Sequence, residues 1–287
     1  MKKALFNILA LVSLTALFFL SCDKIDEEQY IVFAGATGEW YDGTGVEDHS
    51  QRAFLEKYTG VRCAFCPTAD QTIATAQSQY GGKLIAVAVH DSNLSLTRPF
   101  EDQPNFNTAD GKAWSEYFGI FGNDLPKAMV NRNKKGDGNW DVFSPTGAIN
   151  SHVDDIINST AEVAVATSAT LQEGSIDIVV DLEFLQTVSG DLTLTLLIME
   201  DGIVAKQRQP DGSDMDDYVH NHVLRDVITD IWGDAIDCTG TAGEKRKAHF
   251  TYNQMKEEWN LSNCHIVAFV SEQSTRHILN VAECEIE

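Results

Sequence analysis

From Ser175 to Phe184 apolar and polar positions alternate: Ile176, Ile178, Val180, Leu182 and Phe184 share one side of an extended chain, while Asp177, Asp181 and Glu183 share the other. A period of two belongs to a strand with one buried face. Leu192-Thr193-Leu194-Thr195-Leu196 repeats the alternation, and Gln172-Glu173-Gly174 and Ser189-Gly190-Asp191 supply the turns. The pattern predicts an antiparallel meander with one polar face, an immunoglobulin-like β-sandwich over residues 161–287. Upstream, strand and helix signals take turns. A strand over Ala53–Tyr58 ends at Thr59-Gly60, and an Ala- and Gln-rich helix covers Thr68–Gln79. An unbroken apolar strand follows at Leu84–His90, then a polar stretch, 91–110, with Pro99 and Pro104. A helix over Gly111–Phe118, a strand over Ala128–Asn131 and a helix opened by Ser144-Pro145 and running over Thr146–Ser159 complete the series. Such alternation predicts a sheet covered by helices, so the fold class is α/β over 51–160 followed by all-β.

The amino terminus has a different design. Met1-Lys2-Lys3 and the apolar run Ala4–Leu20 have the charged and hydrophobic parts of a secretory signal, and Phe19-Leu20-Ser21-Cys22 resembles a bacterial lipobox. That resemblance implies a signal peptide over residues 1–21 and diacylglycerol on Cys22, which would hold the chain at a membrane surface. A plain cleaved signal or an uncleaved anchor is the other reading. Residues 22–50, opening on Asp23-Lys24-Ile25-Asp26-Glu27-Glu28, read as a tether.

The formal net charge of -22 argues against nucleic acid and anionic lipid as partners. No cofactor motif is present. Tyr218-Val219-His220-Asn221-His222 puts two imidazoles two residues apart beside Asp211, Asp214, Asp216 and Asp217, but the bland reading, locally bonded histidines after an acidic loop, is preferred and no metal is assigned. The run from Asp137 to Asp141 resembles half a calcium loop, yet Val142 and Ala148 stand where the glycine and glutamate are needed, so it is a turn.

The cysteines carry the chemistry. Cys63 and Cys66 lie in Tyr58-Thr59-Gly60-Val61-Arg62-Cys63-Ala64-Phe65-Cys66-Pro67, between a strand and a helix. There Cys63 is expected at the helix N-terminus, its thiolate favoured by the macrodipole and by Arg62, with Cys66 as the buried resolving thiol. No second CxxC or Cys/His couplet supports zinc. Cys238, Cys264 and Cys284 remain. A three-residue loop Gln273-Ser274-Thr275 would set Cys264 opposite Cys284, which leaves open either a structural disulfide or two free core thiols.

Asp124-Leu125-Pro126-Lys127, about sixty residues after the dithiol and just before a strand, supplies the proline that the thioredoxin superfamily packs against its CxxC. Residues 51–160 therefore resemble a thioredoxin-like domain with an insertion near 91–110. The whole chain, through its YTGVRCAFCP, LPKAMVNR, IMEDGIV and YVHNHVLR runs, resembles the lipoproteins related to a 28-kilodalton outer membrane protein of Gram-negative bacteria. The resemblance implies a thioredoxin-like domain followed by a β-sandwich, in an exported lipoprotein of the outer membrane, periplasmic or surface-exposed. Two functions stay open. One is thiol–disulfide exchange by Cys63, Cys66 and Pro126 with a protein dithiol or disulfide, which would make the chain a thiol–disulfide oxidoreductase. The other is a non-enzymatic adhesion or assembly role toward a surface ligand, with the CxxC as a structural disulfide.

Overall fold

In the computed structural model, residues 38–92, 94–120 and 124–287 are described. The signal peptide, Cys22 and the acidic start of the tether lie outside them. No helix among the described residues is long and apolar enough to cross a membrane.

The strands are β1 (Glu39–Asp42), β2 (Ala53–Tyr58), β3 (Leu84–Val89), β4 (Lys127–Val130), β5 (Val163–Gln172), β6 (Ser175–Phe184) and β7 (Leu192–Glu200), followed by β8 (Ile203–Arg208), β9 (Asp214–His220), β10 (Val223–Val227), β11 (Asp234–Ala235), β12 (Lys245–Tyr252), β13 (Cys264–Glu272) and β14 (Ile278–Glu285). The helices are α1 (Cys66–Tyr80), α2 (Ala109–Phe118) and α3 (Asn150–Ile157). The result is a mixed, sheet-rich fold with few helices. One sheet has four strands in the order β1-β12-β6-β5, and β8 pairs with β9 alone. The largest sheet runs β14-β13-β7-β10-β3-β2-β4, with β11 beside β7. It crosses the position near residue 160 where the periodicity changes: β10 lies parallel to β3 at Val223 and Ala88, and Ala88 N–H donates to the His222 carbonyl at 2.7 Å.

The inward side chains of β6, Ile176 to Phe184, are fully buried against Leu194, Leu196 and Ile198 of β7 and Ile266 and Ala268 of β13. At roughly 1.5–3 kcal/mol for each large apolar side chain, this face is a main stabilising layer. The opposite side of the same strands is not polar. Leu197, Met199, Val267 and Phe269 pack with Phe54, Tyr58, Trp114 and both cysteines of the CxxC. Every residue of β7 is consequently buried. Thr193 and Thr195 do not form the expected solvent face, and Thr193 Oγ1 meets Ser271 Oγ at 3.0 Å.

Three further expectations are corrected. Residues 39–42, within the stretch read as tether, form β1, an edge strand paired with β12. The Ser144-Pro145 helix start is instead a turn: Phe143 and Ala128 exchange backbone hydrogen bonds of 2.8 and 2.9 Å, and α3 opens only at Asn150. The Cys264–Cys284 pairing fails because the connection is longer than three residues. Glu272 N–H bonds the His277 carbonyl and a bulge follows at Ser271, so Cys284 stands opposite Ile266, and both thiols are free, as is Cys238.

Candidate functional site

Strand β2 continues one residue past its end, Thr59 N–H donating to the Val89 carbonyl, and then turns sharply. Gly60 is required there, because a Cβ would lie 2.4 Å from the Leu96 carbonyl oxygen. Cys63 N–H closes the turn on the Gly60 carbonyl at 3.0 Å, and Cys66 N–H reaches the Cys63 carbonyl at 3.4 Å as α1 begins. Pro67 occupies the first turn, where no N–H is missed. At its far end α1 stops at Gly81, in the left-handed conformation with φ 59°.

Cys63 and Cys66 form a disulfide with a Cα–Cα distance of 5.4 Å. Their side chains differ less than the attacking-and-resolving scheme expects: Cys63 is 2% exposed and Cys66 1%, while Phe65 between them is 61% exposed. The helix starts at Cys66, so Cys63 precedes it by three residues, in the turn rather than at the N-terminus. Arg62 does not attend the sulfurs either. Its guanidinium donates to the Arg98 and Pro99 carbonyls at 2.8 and 3.0 Å and lies 4.0 Å above the Phe100 ring.

Pro126 is buried, its peptide bond to Leu125 is cis, and it directly precedes β4. The antiparallel register pairs Lys127 with Tyr58, which brings Pro126 to the end of β2 from which the CxxC turn departs. Leu125 belongs to the same apolar cluster as both cysteines.

Two elements roof this turn. From one side comes the 91–108 segment, with Arg62 N–H on the Leu96 carbonyl at 2.8 Å. From the other comes β8, whose Arg208 N–H donates to the Val61 carbonyl at 2.9 Å and whose Gln207 Nε2 donates to the Cys63 carbonyl at 3.0 Å. Val61, Phe106, Ala205 and Val223 seal the joint.

Buried charge surrounds the site. Glu56 and Arg132 make a two-toothed ion pair beneath it, at 3.0 and 2.8 Å. Lys57 contacts Asp70, one turn after Cys66 on α1, and Asp70 also accepts from the Tyr218 hydroxyl at 2.8 Å. Burial pushes the Lys57 ammonium down to about 7, against the pull of that carboxylate. His90 and His220 stack edge-on to Phe106, each with one ring nitrogen lacking a partner. Burial and then the neighbouring Lys57 charge hold His220 down to about 4, and His90 lies well below the ordinary histidine range because of burial and then His220.

The two histidines of the YVHNH run part company. His220 turns to Phe106, whereas His222, in left-handed backbone at φ 60°, meets Gln77 Nε2 at 3.2 Å. Among the described residues no three His, Cys, Asp or Glu side chains are grouped to hold a metal. The remaining thiols are weak nucleophiles: burial raises Cys264 to about 12 and Cys284 to about 11. Gln207, Lys57 and Asp70 were not singled out by sequence. Only the presence of a charged residue within a strand-like run, as at Lys57, offered a signal there.

No curated protein matches the chain. The fold is similar to that of HBP35 of Porphyromonas gingivalis, with 19% sequence identity and a TM-score of 0.62 over 83% of this chain and 76% of that one. A domain of the outer membrane lipoprotein Omp28 from Porphyromonas gingivalis also matches, at 20% identity and a TM-score of 0.32, over 44% of this chain and 89% of that domain. The family model of outer membrane protein Omp28 matches residues 111–287, downstream of the dithiol. That is more than half of the sequence, and the chain belongs to the Omp28 family of outer membrane proteins.

Proposed function

We propose that this Omp28-family protein is an exported lipoprotein, anchored through Cys22, whose thioredoxin-like segment 51–160 performs thiol–disulfide exchange and whose segment 161–287 is an immunoglobulin-like sandwich. The observation that carries the reading is the Cys63–Cys66 disulfide at the junction of β2 and α1, with Pro126 in register beside the end of β2. Parallel β2 and β3, the helix α1 between them and antiparallel β4 supply the setting in which the thioredoxin superfamily uses such a pair. In the exchange a partner thiolate attacks Cys63 Sγ, and the S–S electron pair leaves on Cys66 Sγ, which takes a proton. The partner's second thiolate then resolves the mixed disulfide, so the partner dithiol is oxidised as the CxxC is reduced.

The burial of both cysteines favours the second reading, a structural disulfide in a non-enzymatic surface adhesion or assembly protein. Equilibration with glutathione separates the two. Reduction within the glutathione range supports exchange, as does a lasting mixed disulfide on a Cys66→Ser variant, where the Cys63 thiolate attacks oxidised glutathione, one glutathione thiolate leaves, and no Cys66 thiol can displace the other; a pair that stays oxidised throughout makes it a staple. Release of a Cys22→Ser variant from membranes tests the anchor, and retention after a carbonate wash counts against it.

A further inference from the structure

The carbonyls of Gly60, Val61 and Cys63 all turn toward β8. Arg208 N–H takes Val61, and the Gln207 carboxamide takes both others, with Nε2 at 3.3 Å from the Gly60 oxygen and 3.0 Å from that of Cys63. The same nitrogen lies 3.1 Å from the Arg208 carbonyl. Two N–H bonds thus serve three acceptors, and those to Gly60 and Cys63 are closed to water, with Gln207 3% exposed. Gly60 and Cys63 are the two ends of the turn closed by Cys63 N–H, so one side chain, 147 and 144 positions away in sequence, grips both ends. On the opposite side Arg62 N–H is tied to Leu96, which keeps the turn from rotating away from β8.

Reduction breaks the sulfur–sulfur bond and moves the two sulfurs apart to van der Waals contact. We take the Cys63 main chain to move with the sulfurs, beside rotation of the two side chains. Gln207 acts on this main chain. A buried donor that fits one arrangement of carbonyls and loses its acceptors in another stabilises the first, because an unmade buried hydrogen bond leaves an unsatisfied amide behind. We propose that Gln207 is a positioning residue of the dithiol site: its carboxamide holds the Gly60–Cys63 turn in the form that carries the disulfide and biases the pair toward the oxidised state. The proposal rests on reading Cys63 and Cys66 as redox-capable. It also gives the β8–β9 hairpin a role at a site whose cysteines lie in a different part of the chain.

The test is equilibration of the full chain in dithiothreitol buffers, with the Cys63–Cys66 state read by alkylation and mass. Gln207→Met keeps the bulk and removes the donor. Its equilibrium constant for reduction is expected to rise about tenfold over wild type, about 30 mV for a two-electron couple. A constant within twofold of wild type overturns the proposal. Where Gln207→Met does not fold, Gln207→Asn decides in the same way, since its amide falls one methylene short of the Cys63 carbonyl. Turnover of the wild type with a peptide dithiol is measured alongside. If turnover is absent while the constant still shifts, the exchange reading falls and the positioning role of Gln207 stands.

Discussion

Arg132 and Glu56 form a two-toothed ion pair with 1% of either side chain exposed, 76 positions apart in the chain. The pair joins the turn after β4 to the middle of β2, and the Trp114 and Phe269 ring centroids lie 4.8 and 5.2 Å from the guanidinium carbon. Removing one partner strands a charge where water does not reach. Arg132→Met is therefore expected to lower unfolding free energy by about 3–5 kcal/mol, whereas Glu56→Leu combined with Arg132→Met recovers at least half of the loss. Urea titrations of the three proteins measure both effects, and a single-variant cost below about 1 kcal/mol would contradict the burial of the pair.

Gly60 faces backbone rather than a movable side chain. Adding a methyl group 2.4 Å from the Leu96 oxygen forces the CxxC turn and the 91–108 segment apart. Gly60→Ala is expected to cost about 1–3 kcal/mol and to open the 91–108 segment to protease. Gly136→Ala, at a position with nothing within 4 Å, serves as control and should stay within about 0.5 kcal/mol of wild type. Equal stability of the two variants would refute the close approach at Gly60.

His220 makes a pH prediction with a definite sign. Its folded-state pKa is depressed to about 4 from 6.5, by burial first and then by Lys57. As pH falls from about 6.5 toward 4, the unfolded chain binds a proton that the folded chain refuses, so stability present above that window is lost through it. From His220 alone the loss is roughly 3 kcal/mol, and His90 acts in the same direction. His220→Asn removes the titrating ring and should flatten the fall, whatever its absolute stability. The measurement is unfolding free energy at pH 4 to 8, and a profile as steep as wild type would exclude His220 as a contributor.

The parts of the fold that could be read in the sequence are those set by local pattern. Ala53–Tyr58 and Ser175–Phe184 form strands over the spans expected, the first as a short run with Phe54 and Tyr58 stopped by Thr59-Gly60, the second through β-branched residues in a period of two. The errors arose where a distant partner decided the outcome. Thr193 and Thr195 look solvent-facing by alternation, yet Trp114 and Phe118 of α2 pack on their side of the sheet and Gly233 closes on Thr195. Trp40 and Tyr41 sit among glycine and aspartate, and only pairing with β12 makes them strand. The dithiol and Pro126 stood out by spacing, whereas Gln207 has no local signal: its meaning comes from a contact 144 residues away. Helix position erred for a local reason. The turn closed by Cys63 on Gly60 uses up the residues that would have begun α1 earlier.

The register of β13 and β14 makes the last prediction. Ile266, not Cys264, faces Cys284, and Cys264 lies across from Glu200 of β7 on its other side, with its Sγ 3.4 Å from the Asn260 carbonyl. Neither thiol has a sulfur partner, and Cys238 is free as well. Burial raises the pKa of all three, so in the folded protein they react slowly with electrophiles. A version beginning at Asp23, alkylated in denaturant without reductant, should gain three adducts, at Cys238, Cys264 and Cys284; prior reduction should add those at Cys63 and Cys66. Peptide mapping reads the positions. A single adduct before reduction, mapped to Cys238, would mean that Cys264 and Cys284 are bridged and that the two strands slide by two residues to meet.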